Sequence, residues 1–570
     1  MDMEKEKESK KAVTFDDVIQ TLGDFGPYQR RVFFLMCLLP ITVSIQTLMT
    51  VFTMATPDHR CAVPELSNDT YSPWGIEHKE ILNSSVPWEL DDDDKPMRSE
   101  CNLYRNRNQS AELLSNRSTL SCDSWVFDHS TFESTFTEEA GLVCGKKGYH
   151  ANADMIYMVG VLVGSILFGL YSDRFGRKTA LMTALVVHIG CAIGTSFVKT
   201  YVAFVALRFL VGMSNMGVFL VTYVLGLEMV GESYRTLAGS VIQMFWPVGL
   251  FIQTGVAYGL REWNHLQLAL SCPPVPFLLY FWFVKESPRW LASRGRHDEA
   301  DAILAEVART NGKPPPPKIH NPAENDPEVK KESVLRMFTN PTTLIRTLII
   351  FVNWVVVTMV YYGLSLNVGS LGGSIYLNNF LSSLAELIGY CVALAGLGRL
   401  GRKWMHCGSM ILGGLACIAS MFPVMYGDDS VSWTMIVLAN LGKLGASSAF
   451  SIIYLFSAEL YPTVARNSLM GASSMVARIG GIVSPYIAQL NEVVEGDLGV
   501  ALPLVVFGGS ALVAGLLALL LPETLHNPLP ETIDDAINYG KKNTAKKREG
   551  ASQAYQNKAF EAGEEGKNNI

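Results

Sequence analysis

Charge is what this 570-residue sequence is short of. Charged residues make up 17% of it and hydrophobic residues 49%, whereas a typical soluble protein is about 25% charged. That balance excludes a disordered chain, which is poor in apolar residues and rich in net charge. Cysteine is scarce as well, at ten residues, which excludes a small scaffold stapled by disulfides. The net charge of −7 is mild and calls for no nucleic-acid partner. A phosphate-cradling glycine loop, a metal-spaced histidine pair and a nucleophile elbow are all missing. No enzymatic activity, cofactor or metal is therefore expected.

What is present is a series of long runs without charge. A membrane-spanning helix needs about 20 mostly apolar residues, because the hydrocarbon core is about 30 Å thick. Val32–Pro57, Met155–Ser172, Thr179–Val198, Phe209–Leu227, Thr236–Leu260, Trp263–Val284 and Leu498–Pro522 carry no charge. Thr347–Ala385 is also uncharged but too long for one helix, and Gly363 to Gly373 is the expected turn inside it. Residues 374–397, 431–457 and 465–490 each contain one or two charges, around Glu386, Lys443 and Arg478; Lys403 to Gly427 supplies one more span. The reading is an all-α membrane protein with twelve transmembrane helices. The hydrophilic start, MDMEKEKESKK, and the length of Val32–Pro57 do not fit a cleaved signal peptide,.

The loops set the expected orientation. Between Asp58 and His150 lie four glycosylation sequons, at Asn68, Asn83, Asn108 and Asn116, and four cysteines, Cys61, Cys101, Cys122 and Cys144. Four cysteines suit two disulfides on an oxidising side of the membrane, with the pairing left open. The turn Asp173-Arg-Phe-Gly-Arg-Lys178 is short and basic, which places it in the cytosol. Helix 1 then runs outward, the 58–150 loop is extracellular and both termini are cytosolic. Lys285–Pro341 is also inside, with an amphipathic stretch at Asp298–Arg309. The acidic Asp91–Lys95 reads as a natural loop, and the basic tail Lys541–Arg548 as a solvated cluster that aids orientation,.

Three cytosolic signals recur in order. Glu228 and Arg235 are seven apart, as are Glu459 and Arg466, and Glu459 follows Glu228 by 231 residues. Gly176-Arg-Lys178 returns 225 residues later as Gly401-Arg-Lys403, and Glu286 has its echo 237 residues on in Glu523. The repetition predicts two pseudo-symmetric six-helix bundles. The expected division is a cytosolic N-terminus at 1–31, a first bundle at 32–284 that includes the 58–150 loop, a linker at 285–342, a second bundle at 343–522 and a tail at 523–570. Carboxylates and guanidiniums at these helix ends pair with one another or with helix termini. They are expected to hold the two halves together on the cytosolic side and to part when the cavity opens inward. The gating set is Asp173, Arg174, Arg177, Glu228, Arg235, Glu286, Arg289, Arg399, Arg402, Glu459, Arg466 and Glu523.

Gly169-Leu-Tyr-Ser-Asp173-Arg-Phe-Gly176-Arg177-Lys178 resembles the motif between helices 2 and 3 of the major facilitator superfamily, although Gly398 replaces the aspartate in the second copy. Thr56-Pro-Asp-His-Arg-Cys61, Glu286-Ser-Pro-Arg-Trp290 and Ala458-Glu-Leu-Tyr-Pro-Thr463 narrow the resemblance to the organic cation, organic anion and carnitine transporter family, over about residues 14–540. The resemblance implies alternating access at the plasma membrane.

Ionisable groups at mid-membrane are costly unless paired or wet, so they mark a pathway by default. Arg208, Glu386, Lys443 and Arg478 are the four. For Arg208 a buried structural role is favoured, and for Arg478 a substrate role, since it sits in the small-residue stretch Ser474–Gly481,. For Glu386 and Lys443 substrate contact is favoured over a locked ion pair. The resemblance adds that cation transporters carry Asp at the position of Arg478, whereas anion and carnitine transporters carry Arg; Glu386 with Arg478 is the carnitine-like combination. Arg478 would grip a carboxylate while Glu386 balances a quaternary ammonium. Trp354 and Tyr361, seven apart on helix 7, with Tyr362 beside them, offer aromatic faces to that cation,. Tyr223, Gln243, Trp246 and Tyr454 are further candidates for the lining.

The expected function is polyspecific transport of organic cations or carnitine-like zwitterions. An organic anion exchanger of the same fold is the alternative, and a non-transporting receptor or scaffold a remote one. The expected partners are a small organic solute and the lipid bilayer. Helix 1 has no acidic residue within Val32–Pro57, which favours uniport or exchange over proton symport.

Overall fold

A computed structural model describes residues 15–64, 66, 68–90, 96–105, 118–314, 336–427, 432–490, 494 and 496–540. Asn108, Asn116, the run Asp91–Lys95 and the tail Lys541–Arg548 lie outside the described residues. The first half contributes α1 (Pro27–Thr47, resumed at Thr50–Thr53), α2 (Tyr149–Phe175), α3 (Arg177–Thr195), α4 (Tyr201–Glu228), α5 (Arg235–Gly259) and α6 (Trp263–Ser271). The second contributes α7 (Pro341–Leu366), α8 (Ile375–Leu397), α9 (Arg402–Ala419), α10 (Ser432–Leu460), α11 (Arg466–Ala488) and α12 (Asp497–Ala518).

Among the described residues eleven spans are long and apolar enough to cross a membrane, the sixth only when α6 is continued to Phe283. The twelfth expected span, α11, has the length but carries Arg466, Arg478 and a run of Ser and Gly. Its polarity is sheltered by protein, because α11 packs between α7 and α2. The run Trp263–Val284 is not one regular helix. Pro273 and Pro274 cannot continue the hydrogen-bond ladder of α6, and the chain goes on as a 3₁₀ turn, Val275–Leu279, and a short helix, Tyr280–Phe283. The turn expected between Gly363 and Gly373 falls at Asn367–Leu371.

Within the first half α2 packs on α4, α3 on α4 and α1 on α5; in the second half α7 packs on α11, α9 on α10 and α12, and α8 on α10. Close approach requires glycine here. A methyl group at Gly160 or Gly164 of α2 would run into the backbone of Phe209 or Met213 on α4,. The halves meet along α5 with α8 and along α2 with α11.

The loop between α1 and α2 is a small folded unit. Strands β1 (His59–Cys61), β2 (Trp88–Leu90), β3 (Pro96–Arg98), β4 (Asn102–Tyr104), β5 (Thr119–Ser121) and β6 (Trp125–Phe127) pair antiparallel as β1 with β6, β2 with β3 and β4 with β5. Disulfides Cys61–Cys122 and Cys101–Cys144 close it around a core that includes Val63, Leu82, Val86 and Leu103. Buried Arg60 is held by Asp69, which also accepts from His78 Nε2 at 3.0 Å. The loop caps one end of the helices through Thr137 Oγ1, which donates to the Met54 carbonyl at 2.9 Å. We call this the loop end.

At the opposite end the sequence repeat becomes one device built twice. Gly176 (φ 102°) and Gly401 (φ 93°) take left-handed turns into α3 and α9. Glu286 accepts from the Arg177 and Lys178 amides at 2.8 and 3.1 Å, and Glu523 from the Arg402 and Lys403 amides at 2.9 and 3.2 Å. Each carboxylate satisfies amides that a helix start leaves without partners and meets the positive end of the helix dipole. Arg177 then pairs with Glu228 at 3.1 Å, and Arg402 with Glu459 at 3.0 Å.

The described first part of the linker after α6, through 314, docks on the first half. Leu304, Val307 and Ala308 of the helix His297–Asn311 share a core with Val18, Leu22 and Val32. Asn311 donates to the Leu22 carbonyl and to Gln29 Oε1 at 3.0 and 2.8 Å.

Candidate functional site

The two arginine–carboxylate sets stay inside their own halves. This corrects the expectation that such pairs bridge the bundles: Glu286 and Glu523 fold back beneath the helix that belongs to their own repeat. Asp173 pairs with Arg177 at 2.9 Å, Arg174 lies over the Phe175 ring and Arg289 over the Phe15 ring. Arg466 donates to the Tyr461 carbonyl at 3.4 Å rather than to Glu459. Arg235 and Arg399 stand at the same end, Arg235 opening α5 and Arg399 in the turn before α9.

Among the described residues, the bonds that cross between halves gather at the loop end, apart from the Arg478–Met216 contact in the chamber below. Asn379 Nδ2 of α8 donates to Thr254 Oγ1 of α5 at 2.6 Å, and Tyr486 of α11 donates to Asn152 Oδ1 of α2 at 2.7 Å. Tyr376 donates to the Thr131 carbonyl at 3.1 Å and stacks on Phe52. Beside these contacts is a vestibule of about 670 Å³, reached by Asp58, Asp128 and Arg261.

Deeper, between the halves, lies a second and smaller chamber, contracted to about 50 Å³. A drug-sized ligand site is usually about 300–1,000 Å³, so a solute fits only after the bundles part. Its walls are aromatic: Tyr157 from α2, Phe219 from α4, Trp246 from α5, Tyr361 and Tyr362 from α7, Tyr390 from α8, and Phe450 and Tyr454 from α10. Tyr361 packs against Phe450 at 5.0 Å and edge-on to Tyr362 at 5.1 Å. Gln243 faces the same space; its Oε1 and the Trp246 Nε1 are buried without hydrogen-bond partners among the described residues.

Arg478 is the one charged residue in that wall among the described residues. It is 6% exposed. Its Nη2 lies 3.5 Å from Met216 Sδ and 3.5 Å from Ser474 Oγ, and its Nε has no partner. A buried guanidinium is costly without a compensating partner, and its planar fork of donors matches a carboxylate.

Glu386 is placed otherwise than expected. It is fully buried behind the chamber wall and pairs with Lys443 at 3.3 Å. The hydroxyls of Tyr361 and Tyr390 donate to its Oε1 at 2.6 and 2.9 Å. Lys443 also bonds Ser365 and sits 3.6 Å from the centre of the Tyr361 ring. The ion pair is locked, because an uncompensated charge at this depth would cost several kcal/mol. Trp354 is likewise outside the lining: it is 1% exposed, donates to Ser457 Oγ at 3.0 Å and packs edge-on against Tyr454. Tyr223 stacks on Phe219 and also stands behind the wall. Arg208 is structural in the first half, donating to the Gln46 carbonyl at 2.8 Å, 3.9 Å from Asp154 and over the Tyr157 ring.

The chamber also uses residues that sequence reasoning missed. Tyr390 lies four residues after Glu386, a spacing that places both on one helix face. Asn215 donates to the Tyr157 hydroxyl at 2.6 Å and to Thr47 Oγ1 at 3.0 Å, knitting α4, α2 and α1 together.

Two helical halves around an aromatic chamber define a solute transporter of the major facilitator fold. Solved structures carry the same fold: a D-xylose–proton symporter aligns with a TM-score of 0.56 at 14% identity, covering 88% of this chain and 100% of that one. The Escherichia coli xylose transporter XylE in a partially occluded inward-open conformation aligns at 0.55 and 13% identity, covering 86% and 98%. The pattern described as sugar (and other) transporter matches residues 124–535. The Drosophila melanogaster organic cation transporter protein is 38% identical over 93% of this chain and 95% of its own length. Human organic cation/carnitine transporter 2 is 34% identical, covering 92% and 94%, and human solute carrier family 22 member 2 is 35% identical, covering 92% and 95%. The chain belongs to the organic cation and carnitine transporters of solute carrier family 22, within the major facilitator superfamily. It is a multi-pass membrane transporter and not an enzyme.

Proposed function

We propose that this protein carries small organic solutes across the plasma membrane by alternating access, with a polyspecific preference for organic cations and carnitine-like zwitterions. The observation that carries the reading is Arg478, a guanidinium without a counter-ion in a wall of tyrosine, tryptophan and phenylalanine. The guanidinium takes a carboxylate, and the aromatic faces take an ammonium. With Glu386 engaged by Lys443, the cation half of the task falls to the rings. A zwitterion therefore satisfies the chamber better than a simple cation does.

In this reading the disulfide-closed loop and its sequons face the outside, both termini are cytosolic, and the chain divides into bundles at 32–284 and 343–522. The loop-end contacts Asn379–Thr254 and Tyr486–Asn152 form the outer gate. The arginine–carboxylate sets stiffen the cytosolic ends of each half so that the halves move as units. Transport is by uniport or exchange.

Arg478 as the one charge in the wall also favours a second reading, an organic anion exchanger. Uptake of labelled carnitine, tetraethylammonium and para-aminohippurate into cells expressing the protein separates the two. The proposal expects saturable carnitine uptake with measurable tetraethylammonium uptake. Saturable hippurate uptake with neither of the others would replace it by the anion reading.

A further inference from the structure

A lateral groove lies between α1 and α5 at the end opposite the loop, and it shares no lining residue with the chamber. Phe33, Phe34 and Cys37 line one wall, and Leu237, Ala238, Val241 and Phe245 the other. Its closed end is built: Phe25 stacks on Tyr234 at 5.7 Å and meets Phe33 edge-on at 5.6 Å. The two segments that present these rings are pinned together, since Ser233 donates to the Asp24 carboxylate and the Gly231 amide to the Asp24 carbonyl. Phe34 and Leu237 are 56% and 46% exposed at the groove's edge, so it opens onto the lipid-facing surface of the first half.

The groove holds about 400 Å³. Water would need about a dozen molecules to fill that volume at roughly 30 Å³ each, and every buried water seeks two to four polar partners. This lining offers almost none, so hydrocarbon is its natural occupant. The mouth is not neutral. Arg30 lines it and Arg31 follows, both exposed. Arg30 uses its Nε for the Phe25 carbonyl at 3.0 Å, and neither arginine makes an ion pair among the described residues. The Asp24 carboxylate at the closed end is already bonded to Ser233. Arg30 at the mouth of an apolar slot, with Arg31 next in the chain, matches an acyl chain that ends in a negative headgroup,.

We propose that this groove is a binding site for an anionic phospholipid, with one acyl chain between α1 and α5 and the phosphate at Arg30 and Arg31. The ligand comes from the leaflet at that end of the bundle. The site is separate from the solute chamber and does not depend on which solute is carried.

The test is native mass spectrometry of the full-length, delipidated protein titrated with palmitoyl-oleoyl phosphatidylglycerol or phosphatidylcholine. The wild type is expected to bind phosphatidylglycerol at least fivefold more tightly than phosphatidylcholine. Arg30→Gln with Arg31→Gln, which alters only exposed side chains, is expected to abolish that preference. Ala238→Phe, which fills the groove, is expected to lower binding of both lipids. Equal affinities in the wild type, an unchanged preference in the double arginine variant, or wild-type binding by a folded Ala238→Phe protein would each overturn the proposal.

Discussion

Arg478 of α11 reaches across the interface between the halves to a thioether, with its Nη2 3.5 Å from Met216 Sδ of α4. No carboxylate among the described residues stands there to neutralise it. Supplying one is therefore informative. Met216→Glu should pair with Arg478 and quench the anion site. Carnitine uptake should fall more than tenfold, since hydrogen bonds to charged groups contribute about 1.5–3 kcal/mol. The melting temperature should hold or rise, because the new carboxylate compensates a buried charge. Uptake and thermal melting on one preparation check both statements.

Glu386 and Lys443 form the opposite case, a buried pair already complete at 3.3 Å. Removing one partner strands the other, at a cost of about 3–5 kcal/mol. Glu386→Gln and Lys443→Met should each lower the melting temperature sharply and reduce surface expression. The double variant should recover much of the loss. A double-mutant cycle measures the coupling, expected to exceed about 1 kcal/mol for residues in direct contact. Additive losses would contradict a locked pair.

The loop-end contacts between halves make a prediction about conformational balance. Thr254→Val and Asn152→Ala remove the partners of Asn379 and Tyr486. If these bonds hold the gate, their loss should favour the state open at that end. A cysteine placed at Val161, in the chamber wall, should then react several-fold faster with a membrane-impermeant thiol reagent applied from the loop side. An unchanged rate would mean that the bonds are incidental.

The loop should respond to acid through Asp69. Burial alone would raise its carboxyl pKa, but bonds from Arg60, the Val63 amide and His78 outweigh it and hold the value below the usual 3.8. A depressed carboxyl contributes stability that is fully present above its unfolded pKa and lost as pH falls through the folded value. Amide exchange across residues 59–90 of the full-length protein should therefore be slow at neutral pH and quicken only below about pH 4. Asp69→Asn should already exchange faster at pH 7 and lose that acid dependence.

Legibility from sequence followed the reach of each interaction. The paired glycines at 176 and 401 and their carboxylates were readable because a tight turn and a helix start demand particular residues within a short span. Their assignment to a gate between halves was not, since spacing says nothing of which helix a carboxylate folds back on. Helical period put Trp354 and Tyr361 on one face, yet α10 lies close enough to bury Trp354 against Tyr454 and leave only Tyr361 in the wall. Glu386 was visible as a mid-membrane charge. Its engagement by Lys443 depends on how α8 crosses α10, a tertiary fact. Arg478 was visible as a mid-span charge among small residues, and the structure puts it in the chamber wall. The cysteine-rich loop could be recognised but not folded, because four cysteines permit three pairings.

The claim on which the functional account rests is that Arg478 meets the negative group of the solute. The ratio of carnitine to tetraethylammonium uptake, measured for the wild type and for Arg478→Asp at matched surface expression, tests it most directly. The account predicts that the ratio falls at least tenfold, with tetraethylammonium uptake retained or increased. An unchanged ratio in a normally expressed variant would contradict it and leave Arg478 a structural residue.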